Sequence, residues 1–171
     1  MSVNYVSLSN PVYSEIEKAV LATYQNACIV WVEEIKNPEL EHQYVLYKAQ
    51  FDEPNERRLF HGTSERISRI IIKEGFDSSK NKCSAYGLGT YFSTRAEYSR
   101  HYAKTRSKDD LAFMLVCDVT LGRTCQGHAD RPIDPGYDSA TDNMRKPDMY
   151  IVGRNDAVVP RYLVAFYPSA K

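Results

Sequence analysis

The chain has 171 residues, 43% apolar and 26% charged, enough to bury a core without help from a metal or a disulfide. Its 22 Lys and Arg balance its 22 Asp and Glu, so no net field draws it onto a long nucleic-acid footprint or an anionic membrane. The four cysteines, Cys28, Cys83, Cys117 and Cys125, are too dispersed for a tight zinc motif or a small secreted disulfide framework.

Asn10-Pro11 opens a stretch in which Val12, Ile16, Ala19, Val20 and Tyr24 recur at helical spacing, with Asn10 as the cap and Pro11 in the first turn. The run Ala27 to Ile35 is apolar and β-branched and stops at Asn37-Pro38, which predicts a buried strand. A second helix is predicted after Pro38, carrying Leu40, Tyr44, Tyr47 and Phe51. Arg57 to His61 reads as a brief strand ending at Gly62. Ser64 then caps a helix that buries Ile67, Ile70 and Ile71 and ends at Gly75. From Asn81 to Thr90 the chain reads as a loop with Gly87 and Gly89 in it, and a third helix starts near Arg95 with Tyr98, Ser99 and Tyr102. Strands are predicted at Ala112 to Leu121, Met149 to Val152 and Tyr162 to Tyr167, with a long polar loop between Arg123 and Lys146. Strands without regular βαβ alternation predict an α+β domain.

Three ordered blocks carry the chemistry: Leu59-Phe60-His61-Gly62-Thr63, Tyr86-Gly87-Leu88-Gly89-Thr90-Tyr91-Phe92 and Tyr150-Ile151-Val152. Together they resemble the catalytic domain of the poly(ADP-ribose) polymerase family. Val32 to Leu40 looks like the strand-to-helix passage of its mono-ADP-ribosylating branch, and Tyr137-Asp138-Ser139 and Pro160-Arg161-Tyr162-Leu163 extend the likeness. The resemblance implies an ADP-ribosyltransferase fold, with mixed, mainly antiparallel sheets and flanking helices around a cleft for NAD+, the substrate. It implies one catalytic domain over residues 1–171, with too little chain before His61 for an autoinhibitory helical domain.

By that likeness His61 bonds the adenosine ribose hydroxyls, and Gly62 pairs its backbone with the nicotinamide carboxamide. Thr63 closes the same motif in the NAD+ site, and Ser99 completes the carboxamide clamp. Tyr91 and Tyr102, eleven residues apart, sandwich the nicotinamide ring. Beside each role stands a plain structural one: a strand-end histidine, a turn glycine, an exposed serine, packing tyrosines.

Polymer-forming members place a glutamate just before Tyr-Ile-Val, and here that position is Met149, so the triad reads His61, Tyr91, Met149. A thioether cannot steady positive charge or activate a ribose hydroxyl; losing one such contact costs about 3 kcal/mol, roughly 10²–10³ in rate. The resemblance therefore implies a transferase of single ADP-ribose units to a protein acceptor. Asp148 is expected on the opposite strand face, and Gly153-Arg154 is expected to loosen the cleft floor. Tyr137 is a candidate contact on the acceptor side. A pseudoenzyme that binds NAD+, ADP-ribose or a protein is one alternative. Transfer to nucleic-acid ends through the basic stretch Arg95, Arg100, Lys104, Arg106 and Lys108 is another, less favoured because Glu97, Asp109 and Asp110 interrupt it. No metal is expected, since Cys125 and His128 make only half a site. No membrane partner is expected either. No run approaches the ~20 apolar residues of a span, and the first residues lack signal-peptide character, so the expected location is cytoplasm or nucleus.

Overall fold

The computed structural model describes residues 1–81, 84–102 and 110–168. Among them, nine strands form one sheet: β1 (Ser2–Tyr5), β2 (Cys28–Lys36), β3 (Glu56–Thr63), β4 (Thr90–Ser93), β5 (Ala112–Thr120), β6 (Thr124–Gln126), β7 (Ser139–Thr141), β8 (Met149–Val152) and β9 (Val158–Tyr167). Their order is β1-β2-β9-β5-β3-β4-β8-β7-β6, antiparallel throughout except for the parallel pair β6–β7. Four helices accompany it: α1 (Pro11–Leu21), α2 (Pro38–Lys48), α3 (Glu65–Glu74) and α4 (Ala96–Ser99). The α+β expectation holds.

Side-chain alternation along the central strand explains the layering. In β5, Phe113, Leu115, Cys117 and Val119 join a core with Tyr47 of α2 and Ile71 and Ile72 of α3. The intervening Ala112, Met114 and Val116 pack with Tyr13, Ile16 and Val20 of α1 and Ala96 of α4. Period-two alternation with both faces apolar is what a strand buried between two helical layers requires. β9 repeats it, Leu163 and Ala165 to one side and Val164 and Phe166 to the other.

The caps follow the sequence. Asn10 accepts from the Val12 N–H at 3.0 Å, Asn37 from Leu40 and Ser64 from Ile67, with Pro11 and Pro38 in first turns. Gly75 ends α3 at φ 86°.

Several expectations are corrected. α3 buries Ser68, Ile71 and Ile72, while Ile67 and Ile70 are exposed. Three consecutive isoleucines leave the phase ambiguous, and Ser68 fits the buried face because its hydroxyl donates to the Glu65 carbonyl at 2.7 Å. β3 runs through Gly62 to Thr63, and β9 starts at Val158, passing Pro160 at a bulge where Val116 faces Tyr162 and Cys117 faces Pro160. The supposed loop from Arg123 to Lys146 holds β6 and β7, and β4 follows directly on the Gly87-Gly89 loop. The third helix is a single four-residue turn continued by a 3₁₀ turn, Arg100–Tyr102. β2 is half-buried rather than fully buried.

Arg161, the extra residue of the bulge, turns its guanidinium into a chain of charges. It donates to Asp118 at 2.7 Å and to Glu41 of α2, while Arg58 donates to the other Asp118 oxygen at 3.0 Å and to Glu15 of α1 at 2.8 Å. Asp118, 9% exposed, is the hub. Asp118→Asn is expected to destabilise the fold by roughly 1–3 kcal/mol, because two guanidiniums lose their shared carboxylate. A urea unfolding midpoint checks it; an unchanged midpoint would show the chain of charges to be inert.

Candidate active site

The sheet forks at β3 and β4. Their pairing is confined to Phe60 and Ser93, whereas β3 stays paired with β5 as far as Thr63. A cleft with roughly 410 Å³ of empty space, partly open to solvent, occupies the fork. His61, Gly62, Tyr91, Ser99, Tyr102 and Met149 all line it. Thr63 does not; it sits half-buried at the last position of β3, opposite Phe113.

Alternation along β3 sends Phe60 and Gly62 to the α1/α4 side and Leu59 and His61 to the other. A Cβ on Gly62 would lie 1.9 Å from the Ser99 carbonyl oxygen, so only glycine lets α4 lie against the strand. Gly89, at φ 155°, is held as closely: a Cβ there would meet the Val152 carbonyl oxygen at 2.5 Å, which lets β4 start tight against β8.

His61 stands between Phe76, edge-on at 5.1 Å, and Phe92, tilted at 5.4 Å. Its Nδ1 is 2.8 Å from the Tyr91 carbonyl oxygen, and a carbonyl only accepts, so Nδ1 carries the proton. Burial lowers the His61 pKa below 6.5, partly opposed by that bond, so the ring is neutral at pH 7. Nε2 then has a lone pair to offer a hydroxyl donor. The Tyr91 carbonyl takes up the ring's one donor.

A lowered histidine pKa makes the unfolded chain the better proton binder below 6.5, so stability contributed at this site is complete above that pH and lost as pH falls through it. The stability of the wild type relative to His61→Gln is therefore expected to drop on going from pH 7.5 to pH 5. Paired thermal melts check it; parallel curves would mean that His61 titrates normally.

Tyr91 accepts from the Tyr86 N–H at 2.9 Å and donates to the Gly87 carbonyl at 2.8 Å, which fixes both the ring and the glycine loop. Ser99 is 2% exposed, and its hydroxyl has no hydrogen-bond partner among the described residues although it lines the cleft. A buried, unmatched hydroxyl of this kind is costly unless something binds to it. Tyr102 is 44% exposed, with its ring 6.4 Å from Tyr98 and 30° from parallel.

Met149 is 8% exposed and faces Ser93 across β4–β8. Its N–H donates to Asp142 at 3.0 Å and its carbonyl accepts from Thr141 at 2.7 Å. Among the described residues lining the cleft there is no carboxylate. Asp148 precedes β8 and is outside the lining. Gly153 and Arg154 lie past the end of β8 and also outside it, Arg154 paired with Asp156 and stacked 4.9 Å over Tyr47, so they leave the floor intact.

Asp138 accepts from the Arg123 N–H at 2.8 Å and Ser139 donates to the Leu121 carbonyl at 2.8 Å, which anchors β6 and β7; Tyr137 is exposed and away from the lining. Cys125 is buried with Ala140 and Ile151, and among the described residues no three His, Cys, Asp or Glu gather as metal ligands. In the basic stretch Arg95 pairs with Glu97 and Arg100 lies over Tyr24, while Lys104, Arg106 and Lys108 fall outside the described residues. Among the described residues no helix is long and apolar enough to cross a membrane. Asn81, Ser93 and Tyr98, to which sequence reasoning assigned no site role, also line the cleft. Asn81 bonds the Gly89 carbonyl at 2.5 Å, and its position at the foot of the glycine loop was the available signal.

One mixed sheet of nine strands with helices packed on it agrees with an ADP-ribosyltransferase fold. Residues 11–132 match the family model described as the poly(ADP-ribose) polymerase catalytic domain, and the chain belongs to that family. It is similar to the protein mono-ADP-ribosyltransferase PARP12 of Mus musculus, 32% identical over 158 residues, which covers 82% of this chain and 22% of that protein. It is also similar to protein mono-ADP-ribosyltransferase PARP14 of Homo sapiens, 28% identical across 92% of this chain and 10% of that protein. The likeness to PARP11 of Mus musculus is 26%, across 95% of this chain and 60% of the relative. The chain thus spans about a fifth or less of the first two relatives.

Proposed function

We propose that this chain binds NAD+ in the β3/β4 fork and transfers one ADP-ribose unit to a protein acceptor, releasing nicotinamide. The observation that carries the reading is the buried Ser99 hydroxyl, without a hydrogen-bond partner among the described residues, in a cleft that also holds Gly62, His61, Tyr91 and Tyr102. A carboxamide needs a donor and an acceptor side by side, and a strand backbone with a hydroxyl supplies both. Tyr102 stacks on the nicotinamide ring with Tyr91 on its other side, and the His61 Nε2 lone pair accepts from an adenosine ribose hydroxyl. No metal is required by this scheme.

In the reaction the bond from ribose C1′ to the pyridinium nitrogen breaks, and nicotinamide departs with the electron pair. An acceptor oxygen forms the new bond to C1′ and gives up its proton if it carries one. The protein's part is orientation and the exclusion of water. With Met149 where a carboxylate would grip the ribose, no carboxylate among the described lining residues activates a ribose hydroxyl for a second unit, so transfer stops at one.

The absence of a carboxylate among the described lining residues also favours a second reading, a binding module that holds NAD+ or ADP-ribose without turnover. One experiment separates the two: labelled NAD+ with a cell extract, wild type beside Tyr102→Ala, read by gel and mass spectrometry. Discrete single-unit labels lost in the variant are expected. Ladders would overturn the single-unit reading, and calorimetric NAD+ binding without labels would favour the binding module. Label on RNA instead of protein would change the acceptor.

A further inference from the structure

We propose that Thr23, in the turn after α1 and outside the cleft, is a positioning residue for the nicotinamide clamp, which it holds by capping α4 from another part of the chain. The inference rests on the nucleotide reading of the fork given above. α4 is four residues long, too short to keep its place through its own hydrogen bonds. What grips its ends therefore decides where Ser99 and Tyr102 sit.

The residue before it, Arg95, makes no side-chain cap. The first helical N–H, that of Ala96, instead donates to the Thr23 hydroxyl at 2.8 Å, across 73 positions of sequence. A hydroxyl that meets a first-turn N–H does the work of an N-cap residue, here supplied by a different element. At the other end of the turn, the Arg100 guanidinium lies 5.9 Å over the ring of Tyr24, the neighbour of Thr23.

Both gripping residues are themselves anchored. The Thr23 and Tyr24 N–H groups donate to the Val20 carbonyl at 3.2 and 2.9 Å. Val20 and Ile16 are completely buried, and the Tyr24 ring stands edge-on to Phe166 of β9 at 5.8 Å. From that fixed point Ala96, also completely buried, sets the start of α4, and Ser99 follows one helical turn later, with its backbone against Gly62. Neither Thr23 nor Tyr24 lines the cleft, so any effect they have on ligand must pass through α4.

The test is calorimetric titration of the full 171-residue chain with nicotinamide and, separately, with ADP-ribose, for wild type, Thr23→Val, Thr23→Ala and Thr23→Ser. Thr23→Val and Thr23→Ala are expected to weaken nicotinamide on the order of tenfold, Thr23→Ser to stay within about twofold of wild type, and ADP-ribose affinity to change less than nicotinamide affinity. Rescue by serine is what a role in general packing would not produce. If wild type binds nicotinamide and Thr23→Ala binds it equally well, the positioning role is overturned and the site reading stands. Equal weakening of both ligands by alanine and serine alike also overturns it. If wild type binds neither ligand, the site reading fails and takes this inference with it. Two small replacements keep the comparison valid even if the valine variant does not fold.

Discussion

Gly62→Ala is expected to weaken nicotinamide binding on the order of 10²-fold and to lower stability by about 1–3 kcal/mol. The added carbon would fall 1.9 Å from the Ser99 oxygen, 2.6 Å from its carbonyl carbon and 2.9 Å from its Cα. All three are backbone atoms, so no side-chain rotation relieves the contact. β3 cannot retreat either, because Gly62 lies opposite Met114 and Thr63 opposite Phe113 in the central strand β5. The whole turn of α4 has to move outward by roughly 1.5 Å to restore ordinary contact, taking the Ser99 hydroxyl and the Tyr102 ring with it. Calorimetry with nicotinamide and a thermal melt read both effects. Binding within about twofold of wild type would mean that neither the glycine nor α4 forms the carboxamide site.

Met149→Glu is expected to raise the rate of nicotinamide release from NAD+ on the order of 10²–10³-fold. The residue lines the cleft on the strand beside Tyr91, 8% exposed, so a carboxylate there would face the ribose in a poorly hydrated place. Such burial raises a glutamate pKa above its ordinary range. The gain therefore appears as pH rises through that raised value and vanishes below it, whereas Met149→Gln, which has similar shape and no charge, gives little. Initial rates of nicotinamide release from pH 5 to 9 for the three proteins check this. A glutamate variant no faster than the glutamine variant would show that this position does not reach the ribose.

Elements whose periodicity coincides with a cap were legible in the sequence. α1 and α2 announce themselves by Asn-Pro starts and apolar residues every three or four positions, and β8 by an unbroken Met-Tyr-Ile-Val run. β6 and β7 were not legible. They are three residues each and largely polar, and their buried Ser139 and Thr141 are paid for by hydrogen bonds to the Leu121 and Met149 carbonyls, a compensation that hydropathy cannot register. The burial of α3 was misphased because Ser68 meets its hydrogen-bonding need within the helix. The residue types of the site were visible through family likeness. The orientation of His61 was not, since its proton is fixed by a carbonyl thirty positions away. Thr23 was invisible, because it belongs to a loop with no motif and acts on a helix 73 positions further on.

The single bridge between Phe60 and Ser93 divides the sheet into two plates, one carrying β5 and the α1, α2 and α3 layers, the other carrying β4, β8, β7 and β6. Under the proposed function a dinucleotide in the seam touches both, since His61 and Gly62 line it on one side and Tyr91 and Met149 on the other. It therefore acts as a splint. Phe92, Tyr150 and Val152 of the smaller plate share a core with Leu115 and Cys117 of the larger, so a change of packing in one is felt in the other.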